Sequence, residues 1–162
     1  ITHVKRLKNV EDALENFYSA ISHLKEKCGP ILFQLPPSLP FEENLLEEFC
    51  SILRPEYRYA LEIRHKSWID DRVFEILRKY NIAFCISDSA GRFPYHEEVT
   101  ADFVYIRLHG PTKLYASEYT EEQIRNWAEK LKKWKRDAFI YFDNDFNAYA
   151  IKNAKMLKEY LK

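Results

Sequence analysis

Several short apolar runs in this chain end in charged or polar side chains, and those endings are where chemistry would be done. In Arg58-Tyr59-Ala60-Leu61-Glu62-Ile63-Arg64, one parity holds Tyr59, Leu61 and Ile63 and the other holds Ala60, Glu62 and Arg64. Phe103 to His109 splits the same way, with Val104, Ile106 and Leu108 on one side and Tyr105, Arg107 and His109 on the other. That period of two belongs to strands. Guanidinium forks such as Arg64 and Arg107 suit a phosphate or carboxylate. Glu62 or Asp88 has the chemistry of a general base, and His109 that of a general acid or electrophile. Gln34 shares parity with Leu32 just before Pro36-Pro37, Asp88 closes the run from Ala83, and Asp143-Asn144-Asp145 closes Ala138 to Phe142. Parity leaves open whether Asp143 or Asn144 faces the same way as Arg107.

The expected catalytic set is therefore Glu62, Asp88 and His109. The expected substrate-binding set is Gln34, Arg64, Arg107, Tyr119 and Asn144. His65 follows Arg64 at a loop start, and His3 lies in an N-terminal segment from which it could reach the same rim. Tyr115 and Tyr119, after His109-Gly110-Pro111, occupy a loop that serves as a substrate lid or packs as an ordinary loop. The competing structural reading makes Glu62, Arg64, Arg107 and Asp88 a satisfied layer of ion pairs, since inward charges are costly unless paired or wet. Glu62, His65, Asp88 and His109 are chemically able to bind a metal, but no short ligand spacing supports it, and no cofactor is identified.

Elements able to position these residues follow in regular order. A helix is expected from an Asn9 cap with Leu14, Phe17, Ile21 and Leu24 as its apolar stripe, stopped by Gly29-Pro30. The strand Ile31 to Leu35, a helix over Phe41 to Leu53, the strand Tyr57 to Arg64 and a helix over Trp68 to Tyr80 come next. The strand Ala83 to Ser87 leads into a mostly irregular stretch from Ser89 to Ala101. Phe103 to His109 is the fourth strand. Thr120 with Gln123 three residues on reads as a capping box, and its helix puts Ile124, Trp127, Leu131 and Trp134 on one packing face. Ala138 to Phe142 and a helix over Asn147 to Leu161 complete the order.

Strand and helix in alternation predict an α/β fold with a parallel sheet. Polar residues at nearly every strand end favour a (β/α)8 TIM-type barrel over an open doubly wound sheet, whose ligands gather at one switch point. Five strands are about five of the eight that a barrel needs. The expectation is a single domain over residues 1–162, forming the C-terminal portion of an incomplete barrel whose N-terminal segment is missing. Such a sheet would have open edges prone to aggregation.

The 162 residues carry 25 basic and 25 acidic side chains, so the formal net charge is zero, which gives no bulk attraction to nucleic acid or to anionic membranes. Nucleic acid remains a partner that is not favoured, and Lys132 to Arg136 reads as a solvated helix end. No apolar run reaches the roughly 18 residues of a membrane span. With three glycines in all, the chain has no phosphate-cradling glycine loop. Cys28, Cys50 and Cys85 lie far apart in sequence, form no CxxC pair, and fit small apolar roles in a cytoplasmic protein.

Longer motifs carry a resemblance. Thr2-His3 with Leu7, Gly29-Pro30-Ile31-Leu32-Phe33-Gln34-Leu35-Pro36-Pro37 and Glu62-Ile63-Arg64-His65 with Ser67-Trp68 resemble the YecE-like family, also called domain of unknown function 72. Asp88, Tyr105-Ile106-Arg107-Leu108-His109-Gly110 and Phe142-Asp143-Asn144-Asp145 with Ala150 continue it through the chain. The family commonly has asparagine where Asp143 stands. The resemblance implies a (β/α)8 barrel of unestablished activity. The expected function is that of an enzyme, hydrolase-like, acting on a small anionic, phosphorylated or sugar-like substrate. The alternative is a non-catalytic module binding a phosphorylated ligand or nucleic acid.

Overall fold

The structure is a computed structural model and describes residues 1–162. Five strands, β1 (Ile31–Gln34), β2 (Tyr59–Glu62), β3 (Ile82–Asp88), β4 (Phe103–Leu108) and β5 (Asp137–Phe142), pair in parallel in the order β1-β2-β3-β4-β5. Five α-helices accompany them: α1 (Glu11–Ile21), α2 (Glu43–Ser51), α3 (Asp71–Lys79), α4 (Glu121–Trp134) and α5 (Tyr149–Leu161). The fold is α/β with a parallel sheet, as expected. No pairing joins β5 to β1, so the five strands do not close into a barrel by themselves.

The chain divides into two compact units. The first comprises Ile1–Phe84 with Glu98–Ala101 and holds β1, β2, the start of β3 and the helices α1 to α3. Ile31, Phe33, Tyr59, Leu61, Ile82 and Phe84 fall on one face by register, and all are buried. Phe33 packs edge-on against Phe49 of α2, and Phe74 of α3 does the same to Phe84. The helices thus shield the apolar parity, as period-two strands under amphipathic helices demand. Trp68 is fully buried and its indole N–H donates to the Leu39 carbonyl at 2.8 Å. Thr100 bridges the β3 backbone, donating to the Ile82 carbonyl and accepting from the Phe84 amide.

Several boundaries differ from expectation for local reasons. Asn9 does not cap α1; it has φ 50°, Val10 takes the cap position, and the helix begins at Glu11. Leu24 leaves the expected stripe because α1 gives way at Ser22 to a 3-10 segment, and it is half exposed. The tighter winding changes which side chains stack. Tyr18, absent from that stripe, is buried instead, its hydroxyl 2.8 Å from that of Tyr59. The helix expected from Trp68 starts at Asp71, because Asp70 caps it through the Arg72 amide.

The second unit comprises Cys85–Glu97 with Asp102–Lys162 and holds the rest of β3, β4, β5, α4 and α5. Its α4 starts with the expected capping box at Thr120 and Gln123, and Ile124, Trp127, Ala128 and Leu131 are buried. Trp134, at the helix end, is only half buried. β5 is the least covered strand: Asp137, Ala138 and Tyr141 are exposed. No helix is long and apolar enough to cross a membrane.

Candidate functional site

Polar side chains gather at the C-terminal strand ends of each unit. In the first, Gln34 and Glu62 are register partners, and Arg64 shares their parity two residues on. The Arg64 guanidinium donates to Gln34 Oε1 at 2.6 Å and to Glu62 Oε1 at 3.2 and 3.3 Å. Glu62 is wholly buried, while the Arg64 side chain is 14% exposed. An inward carboxylate at that depth is costly unless paired, and Arg64 supplies a cation on its oxygen. His65 turns aside: its Nδ1 accepts from the Ser67 amide and lies 2.8 Å from the Ser67 hydroxyl, starting the short 3-10 turn Lys66–Trp68. His3 is exposed, with Nδ1 3.0 Å from the Thr2 hydroxyl.

In the second unit, Cys85, Tyr105 and Phe139 form one row across β3, β4 and β5, and Ser87, Arg107 and Tyr141 form the next. His109 and Asp143 follow by parity, extending the ladder through the His109 amide to the Asp88 carbonyl and the Asp143 amide to the Leu108 carbonyl. Arg107 reaches Asp143 Oδ2 with Nε at 3.1 Å and a terminal nitrogen at 2.9 Å. Imidazole Nδ1 of His109, a buried side chain, lies 3.3 Å from that same oxygen. The guanidinium, the imidazole and the carboxylate are therefore one cluster on one sheet face. Burial raises the Tyr105 phenol far above its ordinary range, so that phenol adds no charge beneath the cluster.

Other expected site residues have different surroundings. Asp88 is the register partner of Leu108 and so lies on the opposite face from Arg107. Its Oδ2 accepts from the Tyr119 hydroxyl at 2.9 Å and its Oδ1 from the Ala90 amide at 3.3 Å. Tyr119 is buried rather than lid-like, and its oxygen also accepts the Gly110 amide at 3.1 Å. Asn144 is fully buried too. Its amide nitrogen donates to the Ser117 carbonyl and to Asn153 Oδ1, and Asn153 in turn bonds both the amide and the carbonyl of Tyr119. These three residues fix the loop behind the site. Asp143, not Asn144, joins Arg107.

Tyr115 is the exposed aromatic of this loop, 46% accessible, with its ring edge-on to His109 at 5.4 Å. Its φ of 63° is a strained value for a bulky residue. Gly110 turns the chain with φ 118°, and a Cβ there would stand 2.6 Å from the Lys113 carbonyl oxygen. Ser87 was not among the expected site residues; it shares parity with Cys85, and the register of β3 with β4 sets it beside Arg107. No group of three or more His, Cys, Asp or Glu side chains is arranged to hold a metal ion. A groove of about 570 Å³ in the first unit is lined by Leu7, Val10, Leu45, Phe49 and Ile52 with acidic neighbours, and by none of the strand-end residues.

Residues 1–162 match the family described as "Protein of unknown function DUF72" over their whole length. The chain belongs to the DUF72 family. A DUF72 family protein from Thermotoga maritima MSB8, in a 2.20 Å crystal structure, is similar with a TM-score of 0.87 and 28% identity, over 99% of this chain and 69% of that one. Two crystal structures of a DUF72 family protein from Enterococcus faecalis V583 give TM-scores of 0.82 and 0.75 at 19% and 18% identity. They cover 95% and 90% of this chain and 66% of theirs, and at such identity the likeness speaks to fold alone. This DUF72 chain thus spans about two thirds of the length of these DUF72 structures. No curated protein matches it.

Proposed function

We propose that the five strands belong to a (β/α)8 barrel and that their C-terminal ends bind a small anionic, phosphorylated or sugar-like ligand, which the protein hydrolyses. Strand order that follows chain order, with every neighbour parallel, supports the barrel. A doubly wound sheet reverses that order at its switch point. Barrels bind and react at the C-terminal ends of their strands.

The observation that carries the ligand reading is Asp143 Oδ2, which accepts from the Arg107 guanidinium and lies 3.3 Å from His109 Nδ1. A carboxylate and an imidazole beside a guanidinium equip one face to hold an anion and move a proton. In hydrolysis, water's oxygen bonds to the phosphorus or anomeric carbon as the bond to the departing oxygen breaks. Protonated His109 gives a proton to that oxygen, and the proton that water sheds restores His109. Asp143 sets a negative charge 3.3 Å from the imidazole Nδ1. Asp88 acts as a positioning residue through Tyr119. In the first unit, Arg64 and Gln34 are read as contacts to ligand oxygens and Glu62 as a general base.

The test is turnover and binding by the full-length protein with sugar phosphates and other phosphomonoesters. Arg107→Ala is expected to weaken binding about tenfold or more. His109→Gln should abolish turnover while ligand still binds. Unchanged binding and turnover in both variants would remove the assignment. A binding module without turnover is the second reading, favoured by Arg64 being held between Glu62 and Gln34. Salt-sensitive binding without product, lost in Arg64→Ala, would decide for it.

A further inference from the structure

We infer that the Ser87 hydroxyl is a ligand-binding group, completing with Arg107 a subsite for a phosphoryl group. The inference rests on the proposed reading of the Arg107 face as a ligand site, and it adds a residue and a ligand class to that reading. Ser87 is the register partner of Arg107, which is the partner of Tyr141, so the three share one row and one face. Beneath them, Cys85, Tyr105 and Phe139 form an apolar floor, with the Tyr105 and Tyr141 rings stacked at 5.1 Å. Beyond them come His109 and Asp143.

Ser87 is 4% exposed, and its Oγ is buried with no hydrogen-bond partner. Buried hydroxyls are normally satisfied, because stripping one of water without replacement is unfavourable. Neighbouring hydroxyls obey the rule: Ser89, also buried, accepts the Phe93 amide at 3.0 Å. Alanine would fill the Ser87 position without leaving a polar atom unmet. A hydroxyl held there is preorganised to donate to an arriving oxygen. The row favours a tetrahedral anion over a planar one. A guanidinium engages two oxygens in its own plane, and a phosphoryl group offers a third, out of that plane, for the serine. A carboxylate offers no third oxygen.

The experiment uses the full-length protein with inorganic phosphate as probe, following affinity by calorimetry and melting temperature without phosphate. Ser87→Ala is expected to weaken phosphate binding about tenfold while leaving the phosphate-free melting temperature unchanged or higher, since no internal bond is lost. Ser89→Ala should lower that temperature and leave the affinity alone. If Arg107→Ala weakens binding and Ser87→Ala does not, the Ser87 inference is overturned and the reading of the face survives. A Ser87→Ala variant that melts lower with undiminished affinity overturns it as well, making the hydroxyl structural. If phosphate does not bind, or binds both variants as it binds the parent, the reading of the face falls and the inference with it.

Discussion

The Tyr119 hydroxyl donates to Asp88 Oδ2 at 2.9 Å while its oxygen accepts the Gly110 amide at 3.1 Å. One phenol thereby ties the end of β3 to the residue after His109. Burial, then the Asp88 charge, raises this phenol far above its ordinary range, so it remains a donor at every physiological pH. Tyr119→Phe would leave a buried amide and a carboxylate oxygen without that partner, a loss of about 2 kcal/mol. Urea denaturation reads it directly. An unchanged midpoint would mean that the bridge contributes nothing.

Gly110 faces a steric limit as well as a conformational one. At φ 118°, an added Cβ would lie 2.6 Å from the Lys113 carbonyl oxygen and 2.8 Å from Ser117 Oγ. Gly110→Ala is expected to destabilise by about 2 to 4 kcal/mol, because the required backbone and the required space are both denied. The measurement is the thermal midpoint by circular dichroism. A variant melting with the parent would show that the loop relaxes freely.

Acid sensitivity should be traceable to Asp70. Its carboxylate caps α3, and the Arg72 side chain, then the Arg72 amide, lowers its pKa from 3.8 to about 2. The folded value lies below the unfolded one, so the stabilisation is complete above about pH 5 and lost as pH falls toward 2. The stability gap between the parent and Asp70→Asn should stay constant from neutral pH to about pH 5 and narrow below about pH 4. Denaturant titrations at stepped pH check this. A gap that is indifferent to pH would remove Asp70 from the account.

The cysteines should separate by reactivity. Cys50 is buried, and burial followed by the Glu47 charge pushes its thiol up to about 12. At pH 8 about one molecule in ten thousand would carry that thiolate. Cys85 is buried as well, whereas Cys28 is only partly so. Iodoacetamide on the folded protein is expected to label Cys28 alone, with all three modified in denaturant, as read by intact mass. Early modification of Cys50 would contradict the packing around α2.

Much of the element order was legible because apolar periodicity changes cleanly between strands and helices. The shared face of Gln34, Glu62 and Arg64 follows from counting by twos, and so does that of Arg107 and His109. The same count places Asp88 with Ile86, away from Arg107, a signal that the residue's charge obscured. Asn144 was beyond such reading. Its burial depends on Asn153, one side of α5 meeting the loop before α4. Parity also ends where a strand bends, so the choice between Asp143 and Asn144 needed three-dimensional contacts. Likewise Tyr119 and Tyr115 look alike in sequence, yet one is a buried brace and the other an exposed ring beside His109.

The sequential strand order has a consequence for how the chain assembles. Each of β1 to β4 meets the next strand roughly 20 to 35 residues later, which keeps loop closure short for a parallel sheet. During synthesis, β2, β3, β4 and β5 each find the preceding strand already outside the ribosome. The polypeptide can therefore wind up ladder by ladder, in the direction in which it is made.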